Sequence, residues 1–346
     1  MRNILKLLVI LGLIFSGANA HAQDGNARAQ ILKGQLEGFL ENQKSVALKN
    51  GSKLDTKGEI TVEQASGYYA FTLPHITYTD AKGVRTEIGM LALNAVPQEK
   101  NEWKITMALP TPINSYGSGG GEQFRTDIGN QSASGVWNEK LGHFTSVDAN
   151  YSNIRLSNLR DQSTVTIGSL AVNSQMQEND PEAYTGKAVV NADNISIFDS
   201  ATTFKGVIPR IRLDGNLADR ASKTPMTKEQ VKNRQAANYP DAYNLIAFMF
   251  GAPERVNVTI TGLDNFNAQL QQAMVTATPN NRAKLLQTIL GVSAVSGMGK
   301  PVSGDAKSKA YDVVFGANAN MTVNGTDLGA LMNTTAQPAA GAPVLR

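Results

Sequence analysis

From residue 59 to residue 214, apolar and polar side chains alternate with a period of two, and this limits the fold more than any other feature of the chain. Ile105, Met107 and Leu109 fall on one side of a strand, with Lys104, Thr106 and Ala108 on the other. A strand written this way buries one face only, which antiparallel sheets permit and all-parallel sheets rarely do. Glu59 to Val62, Tyr68 to Tyr78, Val84 to Val96 and Trp103 to Leu109 read as four strands of an antiparallel meander. Asp80-Ala81-Lys82-Gly83 and Pro97 to Asn101 form the breaks. Pro74 lacks the N–H that a central ladder needs, so the second strand is expected at an edge or bulged there.

The pattern continues through Trp137, Phe144 to Leu156, Ser163 to Gln175, Lys187 to Phe198 and Val207 to Leu213. Two of these segments share a local form, Asn153-Ile154-Arg155-Leu156 and Asn194-Ile195-Ser196-Ile197. Their spacing is too irregular for a solenoid. Four glycines in the five residues Gly117 to Gly121 complete no phosphate-cradle spacing and read as a flexible joint. Asn-x-Ser/Thr triplets at Asn150, Asn194, Asn257 and Asn324 read as strand-edge and turn residues.

Helices frame the strands. Leu32, Leu36, Phe39 and Leu40 mark one face of a helix over 26–42. Gly34 and Gly38 weaken that helix by about 1 kcal/mol each and permit close approach, expected toward a sheet. Thr224-Pro225 reads as an N-cap with Pro at the first helical position, and Pro240 starts a second helix. Tyr243, Leu245, Ile246, Phe248, Met249 and Phe250 make that second helix apolar nearly all round, so it is buried on several sides or touches something apolar. Arg255 to Leu263 returns to strand. Thr278-Pro279 caps a helix carrying Leu285, Leu286, Ile289 and Leu290. A closing hairpin, Ala310 to Phe315 and Asn320 to Val323, is expected, with Asn324-Gly325 turning the chain.

The first residues carry an address. Arg2 and Lys6 precede the apolar run Leu7 to Phe15, and Ala18-Asn19-Ala20 and Ala20-His21-Ala22 offer small-residue cleavage sites after Ala20 or Ala22. The run is far short of the roughly 20 residues of a spanning helix, so the expectation is a cleaved signal peptide. Location is then periplasmic, or secreted as the alternative, with no membrane span after removal. Taking Arg2 and Lys6 from 32 basic residues leaves 30 against 29 acidic, a net of +1, which argues against nucleic acid as partner. The absence of cysteine excludes disulfide staples and leaves stability to the core.

Catalytic signatures are incomplete. Gly291-Val292-Ser293-Ala294-Val295 lacks the final glycine of a nucleophile elbow, and the three histidines (His21, His75, His143) form no metal-binding spacing. Neither a catalytic residue, a metal site nor a cofactor is therefore assigned, and His75 reads as a surface residue. Paired acids such as Asp180 with Glu182, or Asp161 with Asp148, are the remaining route to a hydrolase.

The fold class expected is α+β, mainly β: a long twisted antiparallel sheet, half-open and groove-forming, with an N-terminal helix and late helical insertions. Expected organisation is a signal peptide over 1–22, helix and meander over 23–116, a Gly-rich linker over 117–130, a β-rich region with helical insertions over 131–332, and a disordered tail over 333–346. The closing Tyr311-Asp312-Val313-Val314-Phe315 and Met321-Thr322-Val323-Asn324-Gly325, with the leader, the first helix and the late insert, resemble the YdgA-like group of bacterial envelope proteins, related to the AsmA-like assemblage. The resemblance implies a β-rich periplasmic protein that handles lipid or supports the outer membrane, and supplies no catalytic residues. The functional expectation is a non-enzymatic envelope protein passing an apolar, lipid-like ligand along a curved sheet, contacted by Leu245, Phe248, Met249, Phe250, Leu286, Ile289 and Leu290. The alternatives are a scaffold that binds an envelope protein partner, and a hydrolase using paired carboxylates.

Overall fold

The computed structural model describes residues 25–49, 51–233, 255–261, 263–278, 281, 300–301, 310–315 and 319–324. Helix α1 (Gly25–Lys49) runs seven residues beyond the expected end at 42 and buries Leu32, Leu36 and Leu40 as their i, i+4, i+8 spacing requires. Ser52 N–H to Ala47 O and Gly51 N–H to Leu48 O close its last turn, with Gly51 at φ +68°.

The eight strands that follow are β1 (Lys53–Lys57), β2 (Thr61–Ala65), β3 (Tyr68–Thr72), β4 (His75–Thr79), β5 (Arg85–Gly89), β6 (Ala92–Pro97), β7 (Glu102–Met107) and β8 (Ile113–Tyr116). They do not form one meander. β2, β3, β6 and β7 pair side by side in one branch; β1, β4, β5 and β8 pair in another. Each expected single strand, Tyr68 to Tyr78 and Val84 to Val96, is two short ones because the chain changes branch inside it. Pro74 marks the first crossing, where Leu73 N–H bonds Leu91 O, and Gly89 at φ +86° marks the second. Proline removes a ladder donor and glycine accepts the left-handed backbone, so both residues end a strand where it must leave its sheet.

The branches meet on β9 (Glu122–Asn138). Its first five residues pair with β8 and its last five with β7. The gap between is bridged by a side chain: Gln131 Oε1 accepts from Leu109 N–H at 2.7 Å and Gln131 Nε2 donates to Leu109 O at 2.8 Å. The glycines of 117–121 are the turn between β8 and β9, closed by Gly117 N–H to Gly121 O, and not a joint between blocks.

Beyond β9 the sheet continues antiparallel through β10 (His143–Asn158), β11 (Ser163–Asp180), β12 (Ala183–Asp199), β13 (Phe204–Arg220) and β14 (Arg255–Thr261). These are long strands, and all five from β9 to β13 change phase at the same level. Ile128, Ile154, Ile167, Ile195 and Ile208 form a buried row in register across them. The next inward row begins at Gln131, Tyr151, Leu170, Ala192 and Ile211, three residues on in each strand, so two consecutive residues face outward between the rows. Asn153 and Asn194 sit there at φ +54° and +55°, with Pro209 on β13. A Cβ on Gly129 would lie 2.8 Å from that of Asn153, and one on Gly168 3.0 Å from that of Asn194. One extra residue in each of these five strands keeps the hydrogen-bond register while inverting the alternation, a bulge shared from β9 to β13.

Two further helices are described. Residues Lys228–Lys232 (α2) begin at an N-cap on Thr227, not Thr224, because Thr227 and Gln230 satisfy each other's backbone N–H groups as a capping box. α2 lies against Gly34 and Gly38, where a Cβ on Gly38 would stand 2.3 Å from Lys228 O, so the α1 glycines admit a helix and not a sheet. The second, α3 (Leu263–Thr276), has no counterpart in the sequence expectations. Its Phe266 stacks edge-on to Phe204 at 5.6 Å, across Gly206.

β15 (Lys300–Pro301), β16 (Ala310–Phe315) and β17 (Ala319–Asn324) complete the sheet, with β17 parallel to β14. β16 and β17 form the expected hairpin. Asn324 pairs with Ala310 at its open end, and Gly325 lies outside the described residues. Among the described residues no helix is long and apolar enough to cross a membrane.

Candidate functional site

The expected ligand contacts Leu245, Phe248, Met249, Phe250, Leu286, Ile289 and Leu290 lie outside the described residues, as do Ala20, Ala22 and the 333–346 tail. The inward face of the sheet is described. On β10 and β11 the inward rows Ala149–Val172 and Tyr151–Leu170 are fully buried, and burial pushes the Tyr151 phenol above its ordinary pKa. On β12 the first of these rows stays buried at Val190, while Ala192 of the second is partly exposed. On β13 the rows reach Leu213 and Ile211, both partly exposed, and their register continues to Val258 and Ile260 of β14. Cover of the apolar face is thus reduced locally, at Ala192, Ile211 and Leu213.

At the other side, α1 is fastened by a polar cluster inside the core. Glu139 is fully buried; its Oε1 accepts from Trp103 Nε1 at 2.6 Å and Arg28 Nε at 3.1 Å. Arg28 also donates to Gln98 O and Glu102 O and lies over the Trp103 ring at 5.1 Å. Gln35 accepts from Trp137 Nε1 and donates to Glu139 O and Met226 O. An Arg on two carbonyls and a carboxylate has the geometry of a structural clamp. Glu139 Oε2 has no hydrogen-bond partner, which leaves part of a buried charge unsatisfied.

Sequence reasoning missed His143. It is 1% exposed, with Nδ1 2.8 Å from Phe144 O and Nε2 2.8 Å from Asp219 Oδ2. A carbonyl and a carboxylate both accept, which suits a ring carrying hydrogen on both nitrogens. The pair joins the end of β10 to the end of β13. Nearby, desolvation raises the Glu102 pKa above the ordinary carboxylate value although Asn138 donates to it, and desolvation followed by the charges of Glu178 and Glu102 raises that of Tyr184. His75, expected at the surface, is half-buried at the start of β4.

The carboxylate pairs considered for hydrolysis are placed as follows. Asp148 is mid-strand on β10, whereas Asp161 is in the turn after it, roughly 30 Å away at about 3.3 Å per residue. Asp161 accepts from Asn158 and Ser163 in that turn. Asp180 and Glu182 flank the β11–β12 turn, where Glu182 N–H donates to Glu178. Among the described residues no three His, Cys, Asp or Glu side chains converge as a metal site.

The chain matches no protein-family model, no curated protein and no solved structure at a significant level.

Proposed function

We propose that this is a non-enzymatic envelope protein that holds an apolar, lipid-like ligand on the inward face of its open sheet, where Ala192, Ile211 and Leu213 are partly exposed. The observation that carries this reading is the change along single rows: Leu170 is buried while Ala192 and Ile211 are partly exposed, and Val172 and Val190 are buried while Leu213 is partly exposed. Apolar surface left to water is unfavourable by about 25 cal/mol per Å², and a bound acyl chain would relieve it. The leader and the resemblance of the closing strands to YdgA-like proteins support a periplasmic setting.

The test is lipid mass spectrometry on protein taken from its native host, paired with transfer of a fluorescent phospholipid between vesicles. Co-purified lipid and transfer that fall at least five-fold in Leu213→Asp support the reading. Lipid-free protein without transfer overturns it.

A scaffold reading has its own observation. Among the described residues β2 pairs only with β3, and it presents Thr61, Glu63 and Gln64 as exposed residues of an edge strand. Such an edge accepts a strand from a partner.

A further inference from the structure

The outward face of the long strands is polar, and most of its charges are already paired. Arg125 is joined to Asp127, Arg210 to Asp193 and Arg212 to Asp214. One region differs. A shallow depression of about 350 Å³ crosses β9 to β12, where the register sets Ser134, Asp148, Asn173 and Val189 in one row and Ser146, Gln175 and Lys187 in the next. Asp148 accepts from Asn150 at 3.1 Å. Among the described residues, the side chains of Ser134, Ser146, Asn173, Gln175 and Lys187 make no hydrogen bond or ion pair. Their donors and acceptors all project from one rigid face.

We propose that this depression binds a glycan bearing N-acetylamino groups. The primary amides of Asn173 and Gln175 each offer a donor and an acceptor, the complement of an acetamido N–H and C=O. Asp148 accepts from sugar hydroxyls, and Lys187, Ser134 and Ser146 donate to them. One lysine against one aspartate gives no net charge to draw a phosphate polymer. Val189 is the one apolar side chain on this outward face of the depression, too little to anchor a protein partner. The site is on the face opposite the apolar rows and stands independently of the lipid reading.

Titration calorimetry of the full chain with chitohexaose, and with maltohexaose as the acetamido-free control, tests this. Binding of chitohexaose at least ten-fold tighter than maltohexaose is expected, with a further ten-fold loss in the Asn173→Ala/Gln175→Ala double variant. Both residues are exposed on the outward face, and circular dichroism checks that the sheet persists; if it does not, Asp148→Ala is measured in its place and the same loss is expected. No binding of chitohexaose, equal affinity for the two sugars, or unchanged affinity in the folded variant overturns the proposal.

Discussion

The side chain of Gln131 pairs with the backbone of Leu109 through both its oxygen and its nitrogen, at 2.7 and 2.8 Å. It replaces a strand at the point where β7 and β8 part, and Thr111 Oγ1 accepting from Ile128 N–H at 3.0 Å does the same one step on. Gln131→Ala leaves two part-buried backbone groups without partners, at about 1–3 kcal/mol for each group truly cut off from water. Urea unfolding should show a loss in that range with an unchanged slope. A loss below 0.3 kcal/mol, roughly the level of a neutral surface change, would mean that water replaces the amide.

Arg28→Ala strands the buried Glu139 carboxylate. Removal of one partner from a buried pair costs about 3–5 kcal/mol. Glu139→Gln keeps an oxygen for Trp103 and Arg28 and removes the unsatisfied charge at Oε2, so it should cost clearly less. Chemical denaturation of the two variants gives the order. The reverse order would show that the charge itself, not its pairing, holds α1.

Glu102 sets a pH dependence. Its folded pKa is raised by desolvation above the unfolded value, so the folded state binds the proton more tightly and stability falls as pH rises from the unfolded pKa through the folded one. Glu102→Gln retains the acceptor for Asn138 and should be more stable than the parent at pH 7 and equal to it at pH 3. Thermal melts at the two pH values measure this; equal differences at both would remove Glu102 from the account.

Gly38→Ala improves helix propensity by about 1 kcal/mol, yet its Cβ would meet Lys228 O at 2.3 Å. The variant should lower the melting temperature by displacing α2 and breaking the Lys228 and Lys232 ion pairs to Glu41. A higher melting temperature would show that α2 yields freely.

Asn153 and Asn194 hold left-handed backbone in adjoining hairpins. Asn153→Gly should be tolerated, whereas Asn153→Val places a β-branched residue at φ +54° and should cost about 1–2 kcal/mol. Equal stability of the two variants in guanidinium would dissociate the bend from that backbone angle.

The long strands were legible because alternation is local: a half-buried strand shows its period whatever its neighbour. Partnership is not local, and nothing in Tyr68 to Tyr78 says that its two halves pair in different branches. Pro74 signals an edge or a bulge in a strand, whereas the strand ends there and the chain changes branch. The Asn-Ile segments were visible as a pair but looked generic, because their meaning lies in Gly129 and Gly168 on other strands, unremarkable until set beside them. Helix α3 carried a signal, Phe266, Leu270 and Ala273 at i, i+4, i+7, obscured by the glutamines between. The burial of His143 and Glu139 has no local sequence signal, since burial of a lone charged group depends on what folds over it.

Because the chain alternates between two branches before reaching β9, no strand within the first 116 residues pairs with both. A fragment ending at Tyr116 therefore lacks the strand that pairs with both ribbons, and only the stretch from Glu122 to Asn138 supplies it.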